Sequence, residues 1–430
     1  MKVDVILGLQ WGDEGKGKIV DVMAPRYDIV ARFQGGPNAG HTIEFKNQKF
    51  ILHTIPSGIF YPDKINIVGN GVILDPFIFR KEINNLEAHG VDATANLLVS
   101  RRAHLILPTH RLLDAAHESA LGTSKIGSTL KGIGPTYTDK TARNGIRVGD
   151  ILYPDFDSRY AQQRDRHIKQ LEFQGFDYSN YQIDKMIFPE YEASWLDAVA
   201  YMRSLKLIDS EYFIHENLKS GKTVLAEGAQ GTMLDVDFGS YPFVTSSSTS
   251  IGGVCTGLGV SPMQIGEVIG VFKAYCTRVG SGPFPTEQLE ETGEKMRQQG
   301  REYGSTTGRP RRCGWLDLVA LNYAIMINGV TSLFMMKTDV LNDFDTIRVA
   351  TGYLDGLKTS VHIPYDFTKS EAVPVYEDLP GWNASLEILG KGIHEMPSAL
   401  KNYCEYILGK TGVPLLGLSY GPDREQTLLF

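Results

Sequence analysis

Residues 12 to 18 read Gly12-Asp13-Glu14-Gly15-Lys16-Gly17-Lys18, directly after the apolar run Val5–Leu9. Glycines let backbone N–H groups turn toward a phosphate without side-chain clash, and a helix beginning near Lys16 would add its positive end. Lys16 and Lys18 supply charge. In the common phosphate loop, Lys is followed by a Ser or Thr whose hydroxyl holds magnesium. Here Ile19 follows Lys18, and two acids sit inside the loop. A carboxylate among phosphate-binding glycines either holds a metal or takes a proton. An ordinary glycine-rich turn with solvated lysines is the plainer alternative.

Three further pieces bear chemistry. Lys337-Thr338-Asp339 ends the run Leu333–Met336. An aspartate there can accept hydrogen bonds from guanine N1–H and N2–H, which adenine cannot offer, while the lysine stem packs on the base. Taken alone, Lys-x-Asp is better read as a turn with a solvated ion pair. Gly304-Ser305-Thr306-Thr307-Gly308-Arg309-Pro310-Arg311-Arg312 places small hydroxyl residues before three arginines. Arginine forks suit carboxylates and phosphates, so an anion site is favoured over a basic surface loop. Gly35-Gly36-Pro37-Asn38-Ala39-Gly40-His41-Thr42 puts a histidine beside a glycine-rich turn, where it serves either as an acid or as a structural residue.

The elements that position these pieces show in the apolar runs. Val3–Leu9, Asp28–Phe33, Ile65–Gly69, Leu97–Val99, His104–Leu107, Thr223–Ala226, Val268–Lys273 and Leu333–Lys337 are short and dense in Val, Ile and Leu. Such runs fit strands buried on both faces. Helix-permitting stretches such as Pro76–His89 and Leu316–Asn328 lie between them. The alternation predicts an α/β fold on a large, mostly parallel central sheet with flanking helices, whose ligands bind at the carboxyl ends of the strands. Residues 151–220, rich in Arg, Gln, Tyr and Asp, read as a helical insertion. No linker, repeat or low-complexity tract divides the chain, and the ligand-binding pieces are widely spread, so 1–430 is expected to be one folded unit.

Bulk properties narrow the class. The chain has 430 residues, 42% of them hydrophobic, and a formal net charge of −7. Neither a nucleic-acid footprint nor a basic membrane patch is indicated. The cysteines, 255, 276, 313 and 404, include no CxxC pair, which argues against zinc or a redox dithiol. Asp4 and the Gly12-Asp13-Glu14 turn interrupt the first apolar stretch, so a signal peptide is not expected, and no run is long enough for a membrane helix. A cytoplasmic protein is expected.

Taken in order, the motifs closely resemble the adenylosuccinate synthetase family over nearly the whole chain. They are Gly8–Lys18, Gly36–Thr42, Gly132–Lys140, Glu227–Asp235, Tyr241–Ser247, the arginine loop, Lys337–Asp339 and Ser419–Pro422. Small departures, such as Gly239-Ser240 and Asn144, touch none of the positions below. The resemblance implies a GTP-dependent ligase that joins IMP to L-aspartate through a 6-phosphoryl-IMP intermediate, on a fold akin to phosphate-loop nucleotide-binding proteins. It implies Mg²⁺ as cofactor, held by Asp13 and the Gly40 carbonyl. Asp13 would accept the proton of IMP N1 and His41 would be the proton donor.

Binding roles are carried over in the same way. GTP is assigned to Gly12, Asp13, Glu14, Gly15, Lys16, Gly17, Lys18, Gly40, His41, Thr42, Arg311, Lys337, Thr338, Asp339, Ser419, Tyr420 and Gly421. IMP is assigned to Asp13, Glu14, Gly15, Lys16, Asn38, Ala39, Gly40, His41, Thr129, Arg143, Gln230, Thr245 and Arg309. Aspartate is assigned to Ser305, Thr306, Thr307, Gly308, Arg309, Pro310 and Arg311. The resemblance further implies a homodimer in which Arg143 reaches the IMP site of the partner subunit. A GTP-binding switch is the rival reading, but it would leave the arginine loop without a task; intact Asp13, His41 and Arg309 argue against a catalytically silent regulator.

Overall fold

The computed structural model describes residues 1–430 except 46–47, 123–124, 305–307, 357, 371 and 385. Ten strands form the main sheet: β1 (Val3–Gly8), β2 (Ile29–Arg32), β3 (Ile65–Val68), β4 (Leu97–Ser100), β5 (Lys206–Ile208), β6 (Val224–Glu227), β7 (Ile265–Lys273), β8 (Ser332–Met336), β9 (Leu415–Ser419) and β10 (Thr427–Leu429). Their order is β10-β9-β8-β7-β1-β6-β2-β3-β4-β5. Every neighbouring pair is parallel except β9 with the edge strand β10.

β1 lies between β6 and β7, and its side chains alternate between two apolar layers, as the twofold period of a strand requires. Val3, Val5 and Leu7 join the larger core with Ala226, Phe272 and Met335. Ile6 points the other way, to Ile19, Val20 and Met23 of helix α1 (Lys16–Met23).

The expected helix over Pro76–His89 runs from Pro76 to Ala88, capped by the Asp75 carboxylate, which accepts from the N–H groups of Phe77 and Ile78. The stretch from Leu316 starts later. Asp317 accepts from Ala320 N–H at 3.0 Å and caps a helix over Leu318–Asn328, while Leu316–Asp317 pairs as a short strand. His104–Leu105 likewise pairs outside the main sheet, with Ile73–Leu74. Residues 151–220 hold helices Phe156–Phe173, Phe188–Met202 and Ser210–Lys219, and β5 within them edges the main sheet.

Among the described residues, Cys276–Arg278 pairs antiparallel with Arg312–Gly314 outside the main sheet, and two further antiparallel additions were not foreshadowed either. One is the hairpin of His41–Phe45 with Gln48–Leu52. The other is a small sheet in which Thr346–Asp355 pairs with Lys358–Ser360 and Val373–Pro380.

Candidate active site

The loops leaving the carboxyl ends of β1, β2, β6, β7, β8 and β9 surround one cavity of about 920 Å³. From the glycine-rich turn Gly12, Asp13, Gly15, Lys16, Gly17 and Lys18 line it, and from the loop after β2 Asn38, Ala39, Gly40, His41 and Thr42. Thr129, Gln230, Thr245, Arg309, Arg311, Lys337, Asp339, Ser419 and Gly421 complete the set. Ser305, Thr306 and Thr307 fall outside the described residues.

The first turn is built by strain and by one of its own acids. Gly12, Asp13 and Gly15 all have left-handed backbone, with φ of 84°, 58° and 90°. Glu14 is fully buried and folds back into the turn. Its carboxylate accepts from Gln10 N–H at 3.1 Å and Gly12 N–H at 2.9 Å, and pairs with Lys16 Nζ at 2.5 Å. It does not line the cavity. Gly15 precedes α1 without a side-chain cap, so the first-turn N–H groups are not taken up by a capping side chain. Gly17 is close-packed: a Cβ there would meet His41 Cβ at 2.6 Å.

Asp13 faces the cavity, and its Oδ2 accepts from Arg311 Nε at 2.6 Å. Lys18 Nζ reaches the far side, donating to Ser419 Oγ at 2.7 Å, Gly421 O at 2.9 Å and Gln426 O at 3.0 Å. Burial lowers the Lys18 pKa to about 7, against the pull of Asp339, Asp423 and Glu44.

His41 Nδ1 lies 2.5 Å from Glu227 Oε1. Glu227 is wholly buried, accepts from Ser57 N–H and Oγ at 2.7 Å each, and lies 3.4 Å from Arg32 Nη1. Burial, with the Arg32 charge second, lowers the His41 pKa to about 4, although Glu227 opposes the shift. The ring is thereby neutral in the bare site. Nδ1 is committed to Glu227, which orients the ring.

Several cavity residues carry polar atoms with no hydrogen-bond partner among the described residues: Asn38 Oδ1, both side-chain polar atoms of Gln230, and Asp339 Oδ1. A buried polar atom left unpaired costs about 1–3 kcal/mol, so such atoms mark where a ligand completes the bonding. Gln230 and Lys337 are also held at positive φ, 55° and 60°. Strain of this kind collects where a side chain must be aimed.

Other predicted positions support the rim from behind. Thr338 Oγ1 donates to Ser419 O at 3.0 Å, and Tyr420 N–H bonds Gln426 O at 3.1 Å. Gly308 N–H donates to Gly304 O at 2.7 Å, and Pro310 forms a bridge with Tyr303. Thr129 is carried on a loop pinned by Asp114, which accepts from Ser128 Oγ at 2.6 Å and Gly132 N–H at 2.9 Å. Arg143 does not line the cavity: it is exposed, at φ 66°, just past the helix Ile133–Ala142.

Two residues that hold the site escape the sequence reading: Glu227, behind His41, and Glu302, behind Arg311 and Lys337. Glu227 stands in a quoted motif, yet nothing local marks it as the partner of a histidine 186 positions away.

Two places invite a metal. The cavity offers hard oxygen donors at Asp13 and Gly40, which suits magnesium. The other is the buried group His110, Asp139 and His167. There His110 Nδ1 accepts Leu107 N–H at 2.9 Å, so its proton sits on Nε2 and is donated to Asp139 Oδ2 at 2.9 Å. With no lone pair on that nitrogen facing inward, the cluster fits a hydrogen-bond hub anchoring the helix Ile133–Ala142, and not a metal centre.

A strained glycine-rich cradle, orphaned polar side chains and arginines around one cavity at the strand ends define a nucleotide-binding α/β enzyme acting on anionic substrates. Comparison with known proteins gives the particular family. The family model described as adenylosuccinate synthetase matches residues 5–428, and the chain belongs to that family. Adenylosuccinate synthetase of Parabacteroides distasonis is 57% identical over 430 residues, covering 100% of this chain and 99% of that one. Its counterpart in Christiangramia forsetii is 55% identical over 429 residues, covering 100% of both. Among solved structures, a fully ligated adenylosuccinate synthetase from Plasmodium falciparum is 35% identical, with a TM-score of 0.88 and 100% of both chains covered.

Proposed function

We propose that this chain, a GTP-dependent ligase joining IMP to L-aspartate in purine biosynthesis, performs its reaction in the cavity at the strand ends, with Asp13 as the proton acceptor. The observation that carries this reading is the convergence, on one cavity, of the Asp13 carboxylate with the orphaned polar atoms of Asn38, Gln230 and Asp339.

The 6-oxo group of IMP is a poor leaving group. Asp13 takes the N1 proton, O6 attacks the γ-phosphorus of GTP, and the bond to the β–γ bridging oxygen breaks to release GDP. The amine of aspartate then adds at C6, its surplus proton passing to solvent, and the C6–O bond breaks, expelling phosphate and leaving adenylosuccinate; Asp13 returns its proton to solvent before the next turnover. Lys16 and the first-turn amides of α1 stabilise the charge that builds on the transferring group. His41, oriented by Glu227, faces the phosphoryl group and becomes a proton donor when the triphosphate's charge favours its protonated form.

Asp339 accepts from guanine N1–H and N2–H, with Lys337, Ser419 and Gly421 around the base. Asn38, Thr129, Gln230, Thr245 and Arg309 hold IMP. Arg309 and Arg311 answer the two carboxylates of aspartate, together with the 305–308 segment. Asp13 and the Gly40 carbonyl are the groups that would hold Mg²⁺, which when bound spreads negative charge from the phosphates. The exposed position of Arg143 supports a homodimer in which it completes the partner's IMP site. The spread of site residues from 12 to 421 supports one functional unit over the whole chain. Among the described residues no helix is long and apolar enough to cross a membrane, which accords with action in the cytoplasm.

A coupled assay with GTP, IMP, L-aspartate and Mg²⁺, each omitted in turn, tests the reading. Adenylosuccinate should form only from the complete mixture. Product without GTP, or none from the full set, overturns it.

A further inference from the structure

The carboxylate of Glu302 is fully buried, yet four donors from three stretches of the chain meet on it. Lys337 Nζ lies 2.9 Å and Lys273 Nζ 3.2 Å from Oε1, the Tyr275 hydroxyl donates to the same oxygen, and Arg311 Nη1 donates to Oε2 at 2.6 Å. Burial opposes the charge, but Lys273, Lys337 and Arg311 outweigh it and hold Glu302 ionised. Arg311 is fixed from its other edge by Asp13, and its backbone N–H bonds Glu302 O at 2.9 Å. One continuous chain of polar contacts therefore runs from Asp13 through Arg311 and Glu302 to Lys337.

We propose that Glu302 is a positioning residue that couples guanine recognition at Lys337 to the Arg311–Asp13 pair, so that the nucleotide base and the aspartate end of the cavity are set together. The proposal rests on the assignment of Lys337 to GTP and of Arg311 to aspartate. The two oxygens divide the work: Oε2 serves Arg311, and Oε1 serves both lysines. Lys273 has no exposure and does not line this cavity, whereas the Lys337 side chain is 30% exposed at the cavity wall. Lys273 therefore acts as a standing counter-charge. It keeps Glu302 compensated while Lys337 turns onto the base, so Lys337 can move without stranding a buried anion. Without Glu302, three cations stand close together, Arg311 is left with the Asp13 contact alone and Lys337 Nζ with Gly300 O at 2.6 Å, and nothing among the described residues ties the two side chains to each other.

The test is full-length Glu302→Gln, which keeps shape and removes charge. KM for GTP and KM for L-aspartate should both rise, each tenfold or more, with KM for IMP within twofold. The preference for GDP over ADP in direct binding should fall at least tenfold. A structural role alone would lower the active fraction, and so kcat, with every KM and the GDP preference unchanged; that result overturns the proposal. Should Glu302→Gln not fold, Lys273→Met decides. It touches no ligand, and by leaving Lys337 as the only lysine on Oε1 it should raise KM for GTP at least threefold; an unchanged KM for GTP overturns the coupling. GDP and ADP binding needs no turnover, so its outcome stands apart from any failure of the ligase assay.

Discussion

At the scale of single residues, two carboxylates adjacent in the chain are put to different uses. Asp13 faces the cavity, whereas Glu14 turns inward and satisfies backbone N–H groups. Asp13→Asn should therefore leave GDP binding within a few-fold of normal while lowering turnover about 100-fold or more, the usual range for loss of a general base. Calorimetric binding beside steady-state rates checks it, and near-normal turnover would refute the base role. Glu227 makes a contrasting case. Glu227→Ala strands the buried Arg32 and frees His41, so chemical denaturation should show a loss of about 3–5 kcal/mol, as for other broken buried pairs. The sequence displayed Asp13, His41 and the arginines because glycine-rich and arginine-rich runs announce themselves locally. It did not display Glu227 or Glu302, since a lone glutamate acquires a role only from what packs around it, here His41 186 positions from Glu227, and Lys273 and Lys337 carried to Glu302 at the ends of two strands beside the nearby Arg311.

Elements come next. Helix α1 presses its second residue, Gly17, against His41, so Gly17→Ala should shift the ring rather than weaken the helix. Alanine favours helix by about 1 kcal/mol over glycine. Thermal unfolding should thus change far less than for Glu227→Ala, while kcat falls about 100-fold, the scale expected of a displacement near 1 Å. Lys18 ties α1 to the end of β9. Its folded pKa is about 7 against an ordinary 10.5, so across that window the unfolded chain holds more protons and stability rises with pH. A polyanion entering the cavity pulls the other way and favours the charged lysine. GDP binding at pH 7.5 should therefore take up about half a proton or more, read from calorimetry in buffers of different ionisation enthalpy; no uptake would contradict the placement of Lys18. The parallel strands were legible because strands covered on both faces are apolar throughout. The hairpin at 41–52 and the sheet around 346–380 were not, because half-exposed antiparallel strands mix polar residues with apolar ones and look like loops.

For the whole molecule, the exposed Arg143 sets a test that no single subunit can pass. Arg143→Leu and Asp13→Asn proteins should each be nearly inactive, while their mixture forms hybrid dimers containing one intact site. Random exchange would restore about a quarter of normal activity, because half the dimers are hybrids and half their sites are whole. Proven exchange without recovery would sink the shared site. The layered α/β architecture was readable from the alternation of runs, but the order of the strands was not, since parallel neighbours are joined through long connections. Val3 pairs with Val224 on one side and Ile265 on the other. That pairing has a consequence in time. Contacts of such sequence separation form slowly, because a long loop must close before they repay it. The rim of the cavity draws on β1, β2, β6, β7, β8 and β9 alike, so during refolding from denaturant nucleotide binding should return only with the slowest phase of sheet assembly, never ahead of it.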